Sequence, residues 1–411
     1  MHPELEATMA RGRAAGVTHR VARERDRNGR TLRLEPEGDV VSFATCSYLG
    51  LERDERLAQR AKAAIDRFGV SFSASRCFVT SALYAEAEEL LAAIFGRPVV
   101  LAGSTTLAHG AALPILVGAR DVVLLDRQVH HSVQTAVAAL GARRARVPVA
   151  HSDLDALEAA IKEAVANDAH HIWYCADGIY SMFGDRLPIA GLSELMARYP
   201  QLYAYLDDAH GMSWCGTHGA GSLIDAPLPR ERTVIATSLS KGFGCAGGVL
   251  AVPDVATKHR IENLGPSLMF SIQLPPPVLG AICASARIHL GDEIFSLQAT
   301  HRDRRAFARA LVTSHPIVGP RAVKIDGEPT PVQYVVLGTA DDAIEATARL
   351  LDLGFLVNPV AFPAVPRDAG GIRLTITRCH TTSDIQRLVA AIGDVVHSMQ
   401  PDRLLNMKES A

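Results

Sequence analysis

The sequence predicts an α/β fold: a large domain built on a mostly parallel sheet with helices on both faces, then a smaller α+β carboxyl-terminal domain. Three observations predict it. Short apolar runs recur along much of the chain, separated by helix-like or turn-rich segments, which is the alternation of βαβ units. At 411 residues the chain exceeds the roughly 250–300 residues at which single cores split, so two domains are expected. Beyond the proline run Pro275-Pro276-Pro277 and a long helical stretch, the pattern changes to a few strands and helices around a proline-rich turn.

The elements follow in order. Leu5, Met9, Val17 and Val21 stand among many charges over residues 5–26, predicting an amphipathic arm that ends near Asn28-Gly29. The arm is taken as residues 1–45 and the large domain as 46–290. Strands of the large domain are expected at Val99–Leu101, Asp121–Leu125, His171–Cys175, Leu202–Leu206, Thr233–Ala236 and Gly248–Val252. A helical segment from Val278 to about Ser314 contains the boundary, near residue 290. The small domain, 291–411, is expected to hold strands near Val332–Leu337 and Ile372–Ile376 and helices near Asp341–Leu353 and Thr382–Ser398.

Composition narrows the function class. Hydrophobic residues make up 48% of the chain, enough for a sizeable core. A net charge of −2 without a basic run argues against a nucleic-acid surface. No apolar run reaches the roughly 18–20 residues of a membrane span, and the charged start Met1–Glu6 does not resemble a secretory signal, so a cytoplasmic protein is expected. The cysteines are scattered without a C-x-x-C pair, so no zinc site, other metal or disulfide framework is predicted.

The chemistry is concentrated in Asp207-Asp208-Ala209-His210 and in Ser238-Leu239-Ser240-Lys241-Gly242-Phe243-Gly244, followed by Gly247 and Gly248. The apolar lead-in Leu202–Leu206 predicts a buried parallel strand that delivers Asp207 at its carboxyl end, where ligands bind in open α/β sheets. A buried carboxylate, a nearby histidine and one lysine in a loop of small residues are the groups needed to hold pyridoxal phosphate. Its ring nitrogen must keep a proton, which an acid such as Asp207 stabilises. Its aldehyde needs an amine desolvated by a close-packed loop, and Lys241 fits better than the other lysines. Ser104-Thr105-Thr106, ahead of the helix-like Leu107–Leu116, has the form of a phosphate cup at a helix amino terminus, helped by Ser238.

Several motifs in the same order give the chain a family likeness. They are Ser47-Tyr48-Leu49-Gly50-Leu51, Asp126 through Ser132, Asp177 through Asp185, Asp207 through Gly211, Ser238 through Gly248, Phe270 through Pro276, and Arg373-Leu374-Thr375-Ile376-Thr377. From about Ser42 to Val395 the chain resembles the α-oxoamine synthases, pyridoxal-phosphate enzymes of fold type I. The resemblance implies a homodimer that condenses an amino acid with an acyl thioester to an α-amino ketone, in most members with loss of carbon dioxide. It gives Lys241 the covalent attachment, Asp207 the ring nitrogen, His210 the phenolic oxygen and His130 the stack on the ring face, with His131 structural. Ser104, Thr105, Thr106, Ser181 and Ser238 are implied on the cofactor, joined by Ser271 from the neighbouring subunit. Arg373 is implied as the clamp on the substrate carboxylate, a task suited to a guanidinium fork, with Ser47 and His109 also on the substrate side.

Departures from the family pattern gather on the substrate side. Where relatives carry Ser-Gly-aromatic-x-x-Asn, this chain has Ser104-Thr105-Thr106-Leu107-Ala108-His109. Cys46-Ser47-Tyr48 replaces an Asn-Asp/Asn-Tyr start, Val70 through Arg76 replaces a glycine-rich segment, Ala85 stands for a histidine, and Ala361-Phe362-Pro363-Ala364 replaces Arg-Pro-Pro-Thr. An unusual acyl donor or amino acid, in specialised metabolism, is the reading this favours. His109 is open between a substrate contact and a cap of the phosphate helix. Phe72, Phe183, Phe270 and Phe362 are open between an acyl tunnel and plain core. The nearer rival function is another fold-type-I reaction, such as transamination, aldol cleavage or γ-substitution; the more distant is a cofactor-binding regulator, for which the short arm leaves no DNA-binding module.

Overall fold

The computed structural model describes residues 3–141 and 145–399. The chain divides into two compact units. One holds Leu51–Tyr180 and Arg186–Gln298; the other holds the residues up to Gly50, the segment Ser181–Asp185 and the chain from Ala299 onward.

The amino-terminal segment opens with a helix over Pro3–Ala14. Gly16, at φ +67°, follows its end, because a left-handed residue cannot continue an α-helix. The amphipathic arm expected to residue 26 is therefore shorter. After it come β1 (Ala22–Arg25), β2 (Thr31–Leu34) and β3 (Gly38–Ser42), which form an antiparallel meander. Asn28-Gly29 lies in the β1–β2 turn, with Gly29 at φ +76°.

The larger sheet is built from β4 (Val99–Ala102), β5 (Val122–Asp126), β6 (Ala145–Val149), β7 (Ile172–Asp177), β8 (Leu202–Asp207), β9 (Thr233–Ser238) and β10 (Gly248–Ala251). Its order is β4-β10-β9-β8-β7-β5-β6. The strands from β9 through β6 are parallel, while β10 runs antiparallel to both β9 and β4. The expected mostly parallel sheet is therefore present. Strand β6 was not foreseen, because its Ala145-Arg146-Val147-Pro148-Val149 carries neither an apolar run nor clean alternation; a proline is admissible there because β6 is an edge strand.

Both faces of this sheet are covered, which is why its strands read as continuous apolar runs. Leu124, Tyr174, Leu206, Ile235 and Val249 face one core, with helices over Ala82–Phe95 and Pro276–Leu290. Val123, Cys175, Tyr205, Ala236 and Leu250 face the other, with the helices Thr105–Leu116 and His131–Ala138. Because the parallel strands end on one rim, Asp126, Asp177, Asp207 and Ser238 are delivered to the same edge.

The helix expected from Val278 to Ser314 is two helices, Pro276–Leu290 and Glu293–Ser314. Gly291 stops the first, its backbone N–H turning back to the carbonyls of Arg287 and Ile288. In the second unit β11 (Val332–Gly338), β12 (Phe355–Leu356), β13 (Asn358–Val360) and β14 (Gly370–Thr375) follow. They form an antiparallel β11-β14-β13 sheet, while β12 pairs parallel with β3. Helices Ala340–Asp352 and Thr382–Met399 cover it through Leu350, Ile385, Leu388 and Ile392, packed on Val335, Ile372 and Leu374.

One cap in this unit has a measurable consequence. Asp384 accepts from the backbone N–H of Thr381 at 2.9 Å and from its hydroxyl at 2.7 Å, and pairs with Arg30. Burial alone would raise its carboxyl, but Thr381 and Arg30 outweigh that and hold it down at about 2. A depressed folded-state value means the stabilisation is full above roughly pH 4 and is lost as pH falls toward 2. Asp384→Ala is expected to cost about 1–2 kcal/mol at pH 7, and denaturant melts at pH 7 and pH 3 should show the difference shrinking at the lower pH.

Candidate active site

A cleft of about 190 Å³ opens at the rim of the larger sheet, lined by Ser104, Thr105, Thr106, His130, Asp177, Asp207, His210, Ser238 and Lys241. Each reaches it for a local reason. Lys241 lies in the turn after β9, closed by Leu239 N–H to Gly247 O at 3.0 Å and Cys245 N–H to Leu239 O at 2.9 Å. Gly244 adopts φ +78°, and a Cβ there would stand 2.5 Å from the backbone nitrogen of Glu52. Only glycine lets the lysine loop close so tightly.

The carboxylates are paired across strands. Asp207 and Asp177 are register partners at the ends of β8 and β7, and both are buried. Burial pushes both up, and for Asp177 the charge of Asp207 adds to the push. For Asp207 burial is outweighed by the hydrogen-bonded His109, then by the charge of Lys241 and the N–H of Ala209, so its carboxyl falls below the usual range. Two neighbouring acids are thereby split, with Asp207 ionised.

His130 caps the helix His131–Ala138. Its Nδ1 accepts the backbone N–H of Ser132 at 3.3 Å and lies 2.6 Å from the Ser132 hydroxyl, while its own backbone N–H donates to Asp177 at 3.0 Å. A backbone N–H only donates, so Nδ1 is an acceptor and the ring proton belongs on Nε2. Burial lowers the imidazole's basicity, which leaves the ring neutral. His210 stands in the turn after β8, its carbonyl accepting the Trp214 indole N–H at 2.6 Å. The adjacent Asp208 faces away from this chemistry: it takes the N–H and hydroxyl of Ser222, each at 2.6 Å, and burial pushes its carboxyl up to about 7.

The helix Thr105–Leu116 points its amino terminus into the cleft. Ser104 caps it, accepting from Leu107 N–H at 3.2 Å, and leaves the first backbone donors free for an anion. A Cβ on Gly248 would lie 2.4 Å from Thr105 N, so a glycine at this point of β10 is what admits the helix end. The donor set fits pyridoxal phosphate: an anion cup, an ionised acid, a neutral flat ring and an amine in one cleft.

Residues 38–392 match the family model of the aminotransferases of class I and II. The chain belongs to the aminotransferase class I and II family. It is 32% identical over 406 residues to the 8-amino-7-oxononanoate synthase of Maricaulis maris, covering 95% of this chain and 96% of that one. The same enzyme from Geobacter sulfurreducens is 32% identical over 366 residues, 88% of this chain and 90% of the relative. Serine palmitoyltransferase of Sphingomonas wittichii superposes with a TM-score of 0.82 at 20% identity, over 96% and 97% of the two chains. These likenesses place the protein in the α-oxoamine synthase branch.

In this aminotransferase class I and II protein the remaining predicted residues are not among those that line the cleft. Ser271 is flanked by exposed Phe270 and Ile272. Ser47, Ser181 and Arg373 belong to the other unit. The hydroxyl of Ser47 accepts from Arg25 at 3.0 Å, and Ser181 offers its carbonyl to Arg373 Nε at 2.6 Å. Arg373, on β14, is 6% exposed and also donates to Thr375 at 3.2 Å; among the described residues no carboxylate pairs with it. It borders an apolar cavity of about 360 Å³ with Met9, Ile344, Val360 and Phe362.

His109 differs from both readings of the sequence. It is fully buried, and its two ring nitrogens are taken by Tyr205 and Asp207, so it neither faces a substrate nor caps the phosphate helix. Of the four phenylalanines, Phe362 lines the apolar cavity and Phe183 packs edge-on against Tyr334, whereas Phe72 and Phe270 are exposed in the other unit. Sequence reading missed Asp177 as a partner of Asp207, and its only signal was an acid ending an apolar run. The Asp121, His170 and His171 side chains also converge, but Asp121 already accepts N–H groups from Gly118, His171 and Trp173, the arrangement of a capped carboxylate.

Proposed function

We propose that this protein is a pyridoxal-phosphate-dependent acyltransferase that condenses an amino acid with an acyl thioester to an α-amino ketone, with loss of carbon dioxide. The observation that carries the reading is the meeting of Lys241, an ionised Asp207, a neutral His130 and a capped helix amino terminus in one cleft. When bound, pyridoxal phosphate supplies the electron sink for a carbanion at the amino acid's α-carbon.

The chain's own groups do the rest. The N–H groups and hydroxyls of Ser104, Thr105 and Thr106, with Ser238, hold the phosphate. Asp207 keeps a proton on the ring nitrogen by its negative charge. His130, being neutral and flat, covers a ring face without repelling a cation, and His210 takes the phenolic oxygen. Lys241 would hold the cofactor through its amine and would move the α-proton. Arg373, a buried guanidinium with no carboxylate partner among the described residues, takes the substrate carboxylate. Exposed Phe270 and Ile272 around Ser271 support a second copy of the chain over that segment, hence a homodimer. Among the described residues no helix is long and apolar enough to cross a membrane.

The substrate-side departures favour specialised metabolism over the 8-amino-7-oxononanoate reaction. The test is free-thiol release from pimeloyl, succinyl, acetyl and longer-chain thioesters, on coenzyme A and on carrier protein, with glycine, alanine and serine in turn. Amino-acid-dependent thiol release at least about tenfold over the thioester alone is expected, with pimeloyl thioester and alanine a poor pair. Amino transfer to a keto acid with no thiol released would select the aminotransferase reading instead.

A further inference from the structure

His109 stands where the departures from the α-oxoamine synthase pattern and the cofactor acid meet. Tyr205 and Asp207 are two apart on β8, so their side chains leave the sheet on the same face. The helix Thr105–Leu116 packs on that face and drops the His109 ring between them. Its Nδ1 lies 2.8 Å from the Tyr205 hydroxyl and its Nε2 lies 3.0 Å from Asp207 Oδ2. The ring has no exposed surface.

Donor and acceptor logic orders this chain of groups. An ionised carboxylate only accepts, so Nε2 carries a proton. The Tyr205 hydroxyl is pushed far up by burial, stays protonated, and donates to Nδ1. Asp207 Oδ1 is held separately by Ala209 N–H at 2.9 Å. Each carboxylate oxygen thus has its own N–H donor, and the group still borders the cleft.

We propose that His109, held by Tyr205, is a positioning residue that fixes Asp207 and shares its charge, so that the His109–Asp207 pair, and not the carboxylate alone, sets how firmly a protonated ring nitrogen is held. This rests on the cofactor reading above. An asparagine at this position could still donate one N–H to Asp207 but lacks the imidazole that relays the Tyr205 hydroxyl to the acid. The other ionisable groups that interact with Asp207 are Asp177, Asp208, Lys241 and His130, and Cys175 acts on Tyr205.

The test uses the parent, His109→Asn and Tyr205→Phe. Pyridoxal phosphate affinity of each apoprotein is measured by fluorescence titration, and the visible band of each loaded protein is followed against pH. The ring N–H of His109 is sought in the apoprotein by NMR of ¹⁵N-histidine-labelled material. A protected N–H lost in His109→Asn, about tenfold weaker binding in that variant, and a displaced pH titration of the band in both variants are expected. Parent-like affinity and an unmoved titration in both variants, or no protected N–H in the parent, would overturn the inference while leaving the cofactor reading intact. Failure of the parent itself to bind pyridoxal phosphate would overturn the cofactor reading, and the inference with it. Should His109→Asn not fold, Tyr205→Phe decides by the same titration.

Discussion

Lys241→Ala is expected to abolish covalent attachment of pyridoxal phosphate and to lower turnover by at least about a thousandfold, since it removes both the attachment point and the proton carrier. The lysine lines the cleft with Asp207, His130 and His210, and its loop is locked by Gly244 and by the Leu239–Gly247 bond. The substitution should therefore leave the fold unchanged. Borohydride reduction of the loaded parent, followed by peptide mapping, should put the added mass on the peptide that contains Lys241. A label on Lys258 or any other lysine would remove the basis of the proposed function.

The second large effect is expected at Asp207. Asp207→Asn keeps the size of the side chain but removes the charge that holds a proton on the ring nitrogen, so kcat should fall on the order of 10²–10³. The amide also meets two donors, His109 Nε2–H and Ala209 N–H, with only one acceptor oxygen. Removing the charge has a further effect on Asp177, whose carboxyl is pushed up by burial and by Asp207. Without Asp207's charge, Asp177 ionises at lower pH. The double variant Asp207→Asn/Asp177→Asn separates the two: if Asp177 substitutes in part for the lost charge, the double variant is slower than Asp207→Asn alone, and the activity of the single variant falls as pH drops through the ionisation of Asp177. Full activity in Asp207→Asn would contradict the assignment.

These predictions rest on features of different legibility. The strand that delivers Asp207 was legible because β8 is buried on both faces, and burial imposes an uninterrupted apolar run. The lysine loop was legible because a chain reversal packed against Leu51 and Glu52 demands glycine at fixed positions. The start of the helix Thr105–Leu116 was legible as a cap, Ser104 before a helix. Strand β6 and the β1–β3 meander were not, because short edge or half-exposed strands carry little periodicity. The break at Gly291 was overridden by a helical pattern on both sides of it.

By itself, then, the sequence determined the layered α/β class, the places of most large-sheet strands, and the residue types able to hold pyridoxal phosphate, since each is a local demand of burial, turn geometry or caps. The tertiary structure alone decided which of those residues act on one another. The register of β7 against β8 sets Asp177 beside Asp207, and the seating of the helix Thr105–Leu116 makes His109, open in the sequence between a substrate contact and a cap, a partner of the acid. Those are contacts between segments tens of residues apart, and no local pattern encodes which face of a helix meets which strand.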